Sequence, residues 1–311
     1  MEGIHTKILK QAYYLTKNFR YFWSAGLFLV WLTLFRGLFL ILNSGYFLEN
    51  AGMVNWGITE SQQVRGNPWI GLVALIVIAV LVIYYFKTKA AVFLAVKKLK
   101  DYKSIDKEEI KEMAEPYTVG LLKTGLAFGA LILILTSLFA SPVAYLSSND
   151  YSSRATMLGL IALFFYIPVF ILIYYSSVFT PMFMVMHNMT PMNGFRASMD
   201  FIRKHWPLFV LLSIILVIIE IIGLIISVAL ALVLIWPFVL LSQLFYDMGG
   251  QTMLVIVQTL AGIAGFVVFF MSQGLIAVFQ RIAWAIAFLE MVRPLKSEEQ
   301  AEAETVPEII Q

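Results

Sequence analysis

The run LVALIVIAVLVIYYF, residues 72–86, is apolar on every side of any helix it forms. The chain holds several such runs of roughly 20 or more residues, the helical length that crosses a ~30 Å hydrocarbon core. Outer-membrane barrel strands read differently, because they alternate apolar and polar residues over about 10 positions. Charged residues make up 13% of the chain, against about a quarter in a soluble domain. These features predict an all-α, polytopic membrane protein. With no cysteine, disulfides, thiolate metal sites and a thiol nucleophile are excluded. A net charge of +3 is small for a nucleic-acid binder, so no nucleic-acid partner is expected.

Residues 1–20 form an amphipathic segment, with Ile8, Ala12, Leu15 and Phe19 on one helical face. Lys7, Lys10, Lys17 and Arg20 supply the polar side. Six spans are expected near Tyr21–Asn43, Trp69–Phe86, Thr118–Leu138, Thr156–Phe179, Pro207–Pro237 and Met253–Ile276. The first is read as a retained span, since it is too long for a signal h-region and lacks a small-x-small cleavage site. Asp106 is placed to cap a second amphipathic helix, with Glu109 as capping-box partner and Ile105 and Ile110 as a staple. Pro116 is expected to interrupt that helix. Gly125 and Gly129 stand at the spacing that permits close helix contact. Pro168 is expected to kink the fourth span. Residues 295–311 read as a disordered acidic tail.

Basic residues set the sidedness. Segments 1–20, 87–117, 181–207 and 277–311 hold four, eight, three and three Lys plus Arg, whereas the intervening loops hold only Arg65 and Arg154. This distribution places both termini in the cytoplasm. It describes a multi-pass protein of the cell membrane.

A third amphipathic helix precedes the fifth span. Shifting the first unit by 187 residues lays Ile8 on Phe195, Lys17 on Lys204, Phe19 on Trp206 and Phe22 on Phe209 without a gap. The chain then reads as one membrane domain, 1–294, with repeats over 1–103, 104–190 and 191–294. Each repeat is an amphipathic helix followed by a helical hairpin.

The run TPMFMVMHNMTPMNGFRASMDFIRKHWPLFVLL, residues 180–212, resembles the recurring signature of a bacterial and archaeal six-span family. That family is the membrane domain attached to some glycerophosphoryl diester phosphodiesterases, together with stand-alone membrane proteins. Pro181, Ser198, Arg203 and Trp206 occupy its recurring places, and QRIAWAIAFLEMVR resembles its last helix. The resemblance covers most of the chain and implies a six-span helical fold. It implies no catalytic residues, because the phosphodiesterase chemistry belongs to a separate soluble domain.

Charged residues at membrane depth are functional candidates. Arg36 lies 15 residues past Tyr21 and Glu220 lies 13 past Pro207, which puts both roughly 20 Å along their spans. The repeat shift places Glu220 on Thr33, one turn from Arg36. An Arg36–Glu220 ion pair between the first and fifth spans is therefore predicted, either as a docking contact between repeats or as part of a transport path. Lys123 and Arg281 sit near the cytoplasmic interface, where long side chains snorkel. Lys10, Lys17, Arg20, Arg196, Arg203 and Lys204 are expected at the membrane surface, facing anionic phospholipids. The methionines of 182–192 are expected to form a flexible apolar surface. His5, His187 and His205 lack ligand spacing, so no metal and no cofactor is expected.

None of the common catalytic motifs is present. The sequence therefore favours a non-enzymatic scaffold or accessory subunit, with a protein partner or a second copy of the chain as its associate. The alternative is a transporter or permease subunit for a lipid or small solute, working with a separate ATPase.

Overall fold

A computed structural model describes residues 3–30, 68–101, 106–149, 151–247 and 251–304. Among them the chain is all-helical. The helices are α1 (Ile4–Asn18), α2 (20–30), α3 (Pro68–Asp101), α4 (Lys107–Ser148), α5 (Ser152–His187), α6 (Pro191–Asp247) and α7 (Gln251–Glu304). Five of these, α3 to α7, are long and apolar enough to cross a bilayer. The rest of the expected first span, with Arg36, lies outside the described residues, as do residues 44–67. Helix is the form expected here, since lipid offers no partner to an unpaired backbone group. Helix α7 continues to Glu304, through the start of the segment expected to be disordered. Residues 305–311 lie outside the description.

Helices α3 to α7 are longer than a bilayer requires. At 42 residues, α4 is about 63 Å long, twice the ~30 Å hydrocarbon thickness. Burial divides it: Ile110, Ala114, Thr118, Leu121, Thr124 and Phe128 are buried, whereas Leu133, Ile134 and Leu138 are exposed. The same holds for the exposed Ile225, Leu232 and Val233 of α6. In water such a surface would drive aggregation; against lipid it is the ordinary exterior. The protein is a multi-pass membrane protein.

Three stretches bury the same row of positions. Helix α1 buries Ile8, Ala12 and Thr16, and α2 then buries Phe22, Ala25 and Leu29. Helix α4 buries Ile110, Ala114, Thr118, then Leu121, Thr124 and Phe128. Helix α6 buries Gly194, Ser198, Ile202, then Phe209, Leu212 and Leu216. Each first row has the i, i+4, i+8 spacing of one helical face, and each second row has spacings of three and four. What differs is the join. Between α1 and α2 the backbone breaks at Phe19 (φ −109°, ψ 99°), and in α6 it breaks at His205 (φ −117°, ψ 19°). The α6 break has a local cause, because Pro207 has no N–H to give the preceding turn. Around the Phe19 break, Trp23 Nε1 donates to the Thr16 carbonyl at 2.7 Å.

Pro116 does not interrupt α4, which runs unbroken through it. Helix α4 is thus the unbroken one of the three stretches. Its two rows are one short step apart, Thr118 to Leu121, whereas the broken stretches insert an extra turn. Gly194, Ser198 and Ile202 lie 186 residues after Ile8, Ala12 and Thr16, whereas Phe209, Leu212 and Leu216 lie 187 after Phe22, Ala25 and Leu29.

Three helix segments are enclosed on all sides, over residues 89–96, 179–186 and 282–288. A helix apolar all round belongs in an interior. Met182, Met184 and Met186 fall in the second of these segments and are core residues. The flexible methionine surface expected for 182–192 is therefore confined to the helix end and beyond, where Met192 is exposed. Helix α5 closes at Asn188 in the left-handed conformation (φ 54°), a common helix ending for Asn. Lys97 Nζ donates to the Met186 carbonyl at 2.5 Å, which satisfies one of the orphan acceptors at that end. At the start of α4, Asp106 accepts from the Glu108 N–H at 3.0 Å. Glu109 pairs with Lys98 rather than closing the expected capping box. Ile105, the other half of the expected staple, lies outside the described residues.

The chain packs as two units. One comprises residues 1–92 and 213–284, the other 93–212 and 285–311. In the second, α4 and α5 form an antiparallel hairpin, with Thr136 Oγ1 3.0 Å from Tyr166 Oη. Its core is aromatic: Phe179, Phe183, Phe201, Phe209 and Phe288 have centroid separations between 4.5 and 6.4 Å. In the first unit, α2 crosses α7 at Gly26 and Gly274. A Cβ on Gly26 would stand 2.2 Å from the Gly274 carbonyl oxygen. At Gly129 a Cβ would meet nothing within 4 Å, so that glycine forms no contact of the expected close kind.

Gly26→Val is predicted to destabilise the purified chain by about 1–3 kcal/mol, the usual cost of overpacking. Gly129→Ala should be neutral or stabilising by up to ~1 kcal/mol, the helix-propensity difference. Thermal unfolding in mild detergent checks both.

Candidate functional site

Helices α6 and α7 form an antiparallel pair within the first unit, and its polar contacts recur at a fixed interval. Gln280 Nε2 donates to Glu220 Oε2 at 3.2 Å and reaches the Leu216 carbonyl at 3.3 Å. One turn further along α6, a Cβ on Gly223 would stand 2.3 Å from Ile276 Cδ1. One turn beyond that, Gln273 Nε2 donates to Ser227 Oγ at 3.0 Å. Deeper still, a Cβ on Gly265 would stand 2.4 Å from Ile235 Cδ1. Amide-to-polar rungs thus flank a glycine contact that lets the helices approach. Ser227 Oγ also donates to the Gly223 carbonyl at 2.7 Å, so its proton is used within the helix and its lone pair is left for Gln273.

Beside this ladder stands a basic cluster. Arg281, next to Gln280, donates from Nη2 to Tyr85 Oη at 3.4 Å. Lys89, one turn from Tyr85 on α3, is only 7% exposed and lies close enough to Arg281 for their charges to repel. Arg281 is half-buried and hydrogen-bonded to α3. Two cations and a carboxylate therefore occupy the apolar part of the chain, where an ionised group is costly unless partnered.

The predicted site residues fall into two sets. Glu220 meets Gln280; Arg36, its predicted partner, lies outside the described residues. Lys10, Lys17, Arg20, Arg196, Arg203 and Lys204 are all exposed. Lys17 lies over the Tyr13 ring at 5.8 Å, and Tyr13 and Tyr14 share the outward side of α1 with Lys10 and Lys17. His187 and His205 stand at the edges of the aromatic core, 5.7 Å from Phe288 and 5.1 Å from Phe201 respectively. Among the described residues no group of three or more His, Cys, Asp and Glu could hold a metal ion.

Sequence reasoning missed Ser227, Gln273, Gln280 and Lys89. A signal for three of them was present. Glu220 and Ser227 are seven residues apart on α6, and Gln273 and Gln280 are seven apart on α7. Matched polar spacing on two neighbouring apolar helices is what an antiparallel ladder requires. Lys89 lies in the basic segment 87–117, read above as cytoplasmic, and only burial distinguishes it. Comparison of the chain with family models, with characterised proteins and with solved structures finds no match.

A double-mutant cycle on Glu220→Gln and Gln280→Leu is predicted to give a coupling energy of about 0.6 kcal/mol and at most ~1.7, the range for hydrogen bonds between membrane helices. Denaturation of the chain in mixed micelles checks it. Strictly additive effects would show that the two side chains do not act together.

Proposed function

We propose that the chain is a non-enzymatic scaffold or accessory subunit of the cell membrane. It would have six spans in three repeats and both termini in the cytoplasm. The repeated burial row carries this reading. Ile8–Ala12–Thr16, Ile110–Ala114–Thr118 and Gly194–Ser198–Ile202 each face inward at the start of a repeat. An entry helix whose apolar face closes on its own chain is a structural part. Its other face is left for the leaflet.

On α1 that outer face carries Lys10, Tyr13, Tyr14 and Lys17, and on α6 it carries Arg196, Arg203 and Lys204. Aromatic and basic side chains together suit the headgroup region, and each Lys or Arg near an anionic leaflet contributes about 1 kcal/mol. The proposed partner is therefore the anionic phospholipid of the cytoplasmic leaflet, with a protein partner or a second copy of the chain as further associates. The Glu220–Gln280 rung supports a docking role for Glu220, since it ties α6 to α7. The resemblance to the six-span phosphodiesterase-linked membrane domain belongs to the same proposal.

A second reading, a permease subunit served by a separate ATPase, draws on Lys89 and Arg281. A buried lysine beside a half-buried arginine is an unusual investment for a scaffold.

Purification of the full chain in native nanodiscs tests the two readings. Anionic phospholipid should be enriched over the bulk membrane, and the enrichment should fall when Lys10, Lys17, Arg20, Arg196, Arg203 and Lys204 are changed to Gln. Unchanged lipid composition would count against the leaflet-bound scaffold. A stoichiometric ATPase whose hydrolysis is stimulated by the chain would establish the permease reading in its place.

A further inference from the structure

A cavity of about 400 Å³ opens in the second unit between α4 and the start of α6. That volume lies at the lower end of the range of ordinary ligand pockets, about 300–1,000 Å³. On α4 its wall is Lys123, Ala127 and Leu131, which are four residues apart and so form one track along the helix. Phe128 and Phe195 meet at 5.9 Å and close the gap between the helices, and Met192 lines the facing wall. The floor is Thr180, whose hydroxyl is 3.0 Å from Ser198 Oγ. That polar pair is satisfied within the protein and asks nothing of an occupant.

The geometry points to a membrane phospholipid in this groove, with one acyl chain along Ala127 and Leu131 and its phosphate on Lys123. Three observations select this occupant. The track is ordered as the lipid is, with one cation at one end and apolar side chains along the rest. Helical side chains lean toward the helix N-terminus, so the Lys123 ammonium is carried away from the hydrocarbon-facing half of α4 and toward the headgroup level. Among the described residues Lys123 has no hydrogen-bond or ion-pair partner, and its neighbours Val119 and Leu126 are exposed as lipid-facing residues are. The groove is therefore open from the side of the bilayer.

This site differs from the leaflet contacts proposed above. Those spread over many basic side chains on the outer faces of two helices, whereas the groove would hold one lipid in one place. The two ideas can accordingly fail separately.

The test uses the full chain in nanodiscs containing a phosphatidylglycerol probe with a photoactivatable diazirine in one acyl chain. A diacylglycerol carrying the same diazirine serves as the phosphate-free control. Cross-links should concentrate on peptides carrying Ala127, Leu131 and Phe195. Lys123→Gln should reduce them about fivefold, the ratio for one lysine–phosphate contact of ~1 kcal/mol. Lys123→Arg should retain them, and the control lipid should show little preference for the groove. Ala127→Trp should block the chain without altering cross-links at Ile225 or Val233 on the outer surface of α6. The inference is overturned if groove peptides are labelled no more than those α6 positions. It is overturned equally if Lys123→Gln leaves phosphatidylglycerol labelling unchanged, a readout that does not depend on the tryptophan variant folding.

Discussion

An apolar face on each of three helical stretches must be covered, and in this protein the chain itself covers it. The i, i+4, i+8 row of Ile8, Ala12 and Thr16 recurs at Ile110, Ala114 and Thr118 and at Gly194, Ser198 and Ile202. Beyond it a second row enters the membrane-crossing part. Most of the fold follows from that coupling. A helix that buries its first row orients the second, and the second row sets which side of the span faces lipid. The two rows need not share one straight helix. In α4 they do, whereas the breaks at Phe19 and His205 add a turn between them. The buried faces survive the insertion because the turn is nearly a whole one.

Once the helices are oriented, membrane depth makes polar residues consequential. Lipid offers them nothing, so their partners must come from neighbouring helices. The α6–α7 ladder meets that demand by placing Glu220 and Ser227 opposite Gln280 and Gln273, with Gly223 letting the helices close. Close backbone approach works the same way between Gly26 and Gly274. Lys89 and Arg281 are handled differently. Tyr85 gives Arg281 an acceptor, and Lys89 is enclosed beside them.

The helical class and five of the expected membrane-crossing runs were legible in the sequence because they depend on composition and length. The amphipathic faces were legible only in part: Ile8, Ala12, Ile110 and Ala114 are inside, whereas Leu15 and Phe19 of the expected face are half-buried and Thr16 is buried instead. The break positions were not. Pro116 reads as an interruption yet lies in continuous helix, while Phe19 breaks without a proline. A proline costs a helix one hydrogen bond, and packing on both sides can outweigh that. The methionine cluster misled because Met suits both a mobile surface and a core, and only the enclosure of 179–186 decides between them. At the site, Glu220 stood out by its charge. Gln280 did not, because an uncharged amide is conspicuous only once its neighbour is known.

The closing of entry helices on their own chain is measurable, because the protein has no cysteine of its own. Single cysteines at Ala12, Ala114 and Ser198, and at Lys10 and Lys17 for comparison, can carry a small trifluoromethyl tag in proteoliposomes. Dissolved oxygen, which concentrates in the bilayer, and a water-soluble nickel chelate then report on each tag through fluorine relaxation. Tags at Ala12, Ala114 and Ser198 should be shielded from both agents, whereas those at Lys10 and Lys17 should be open to nickel. Strong oxygen relaxation at Ala12, Ala114 and Ser198 would mean that these faces lie in lipid, and would contradict the account.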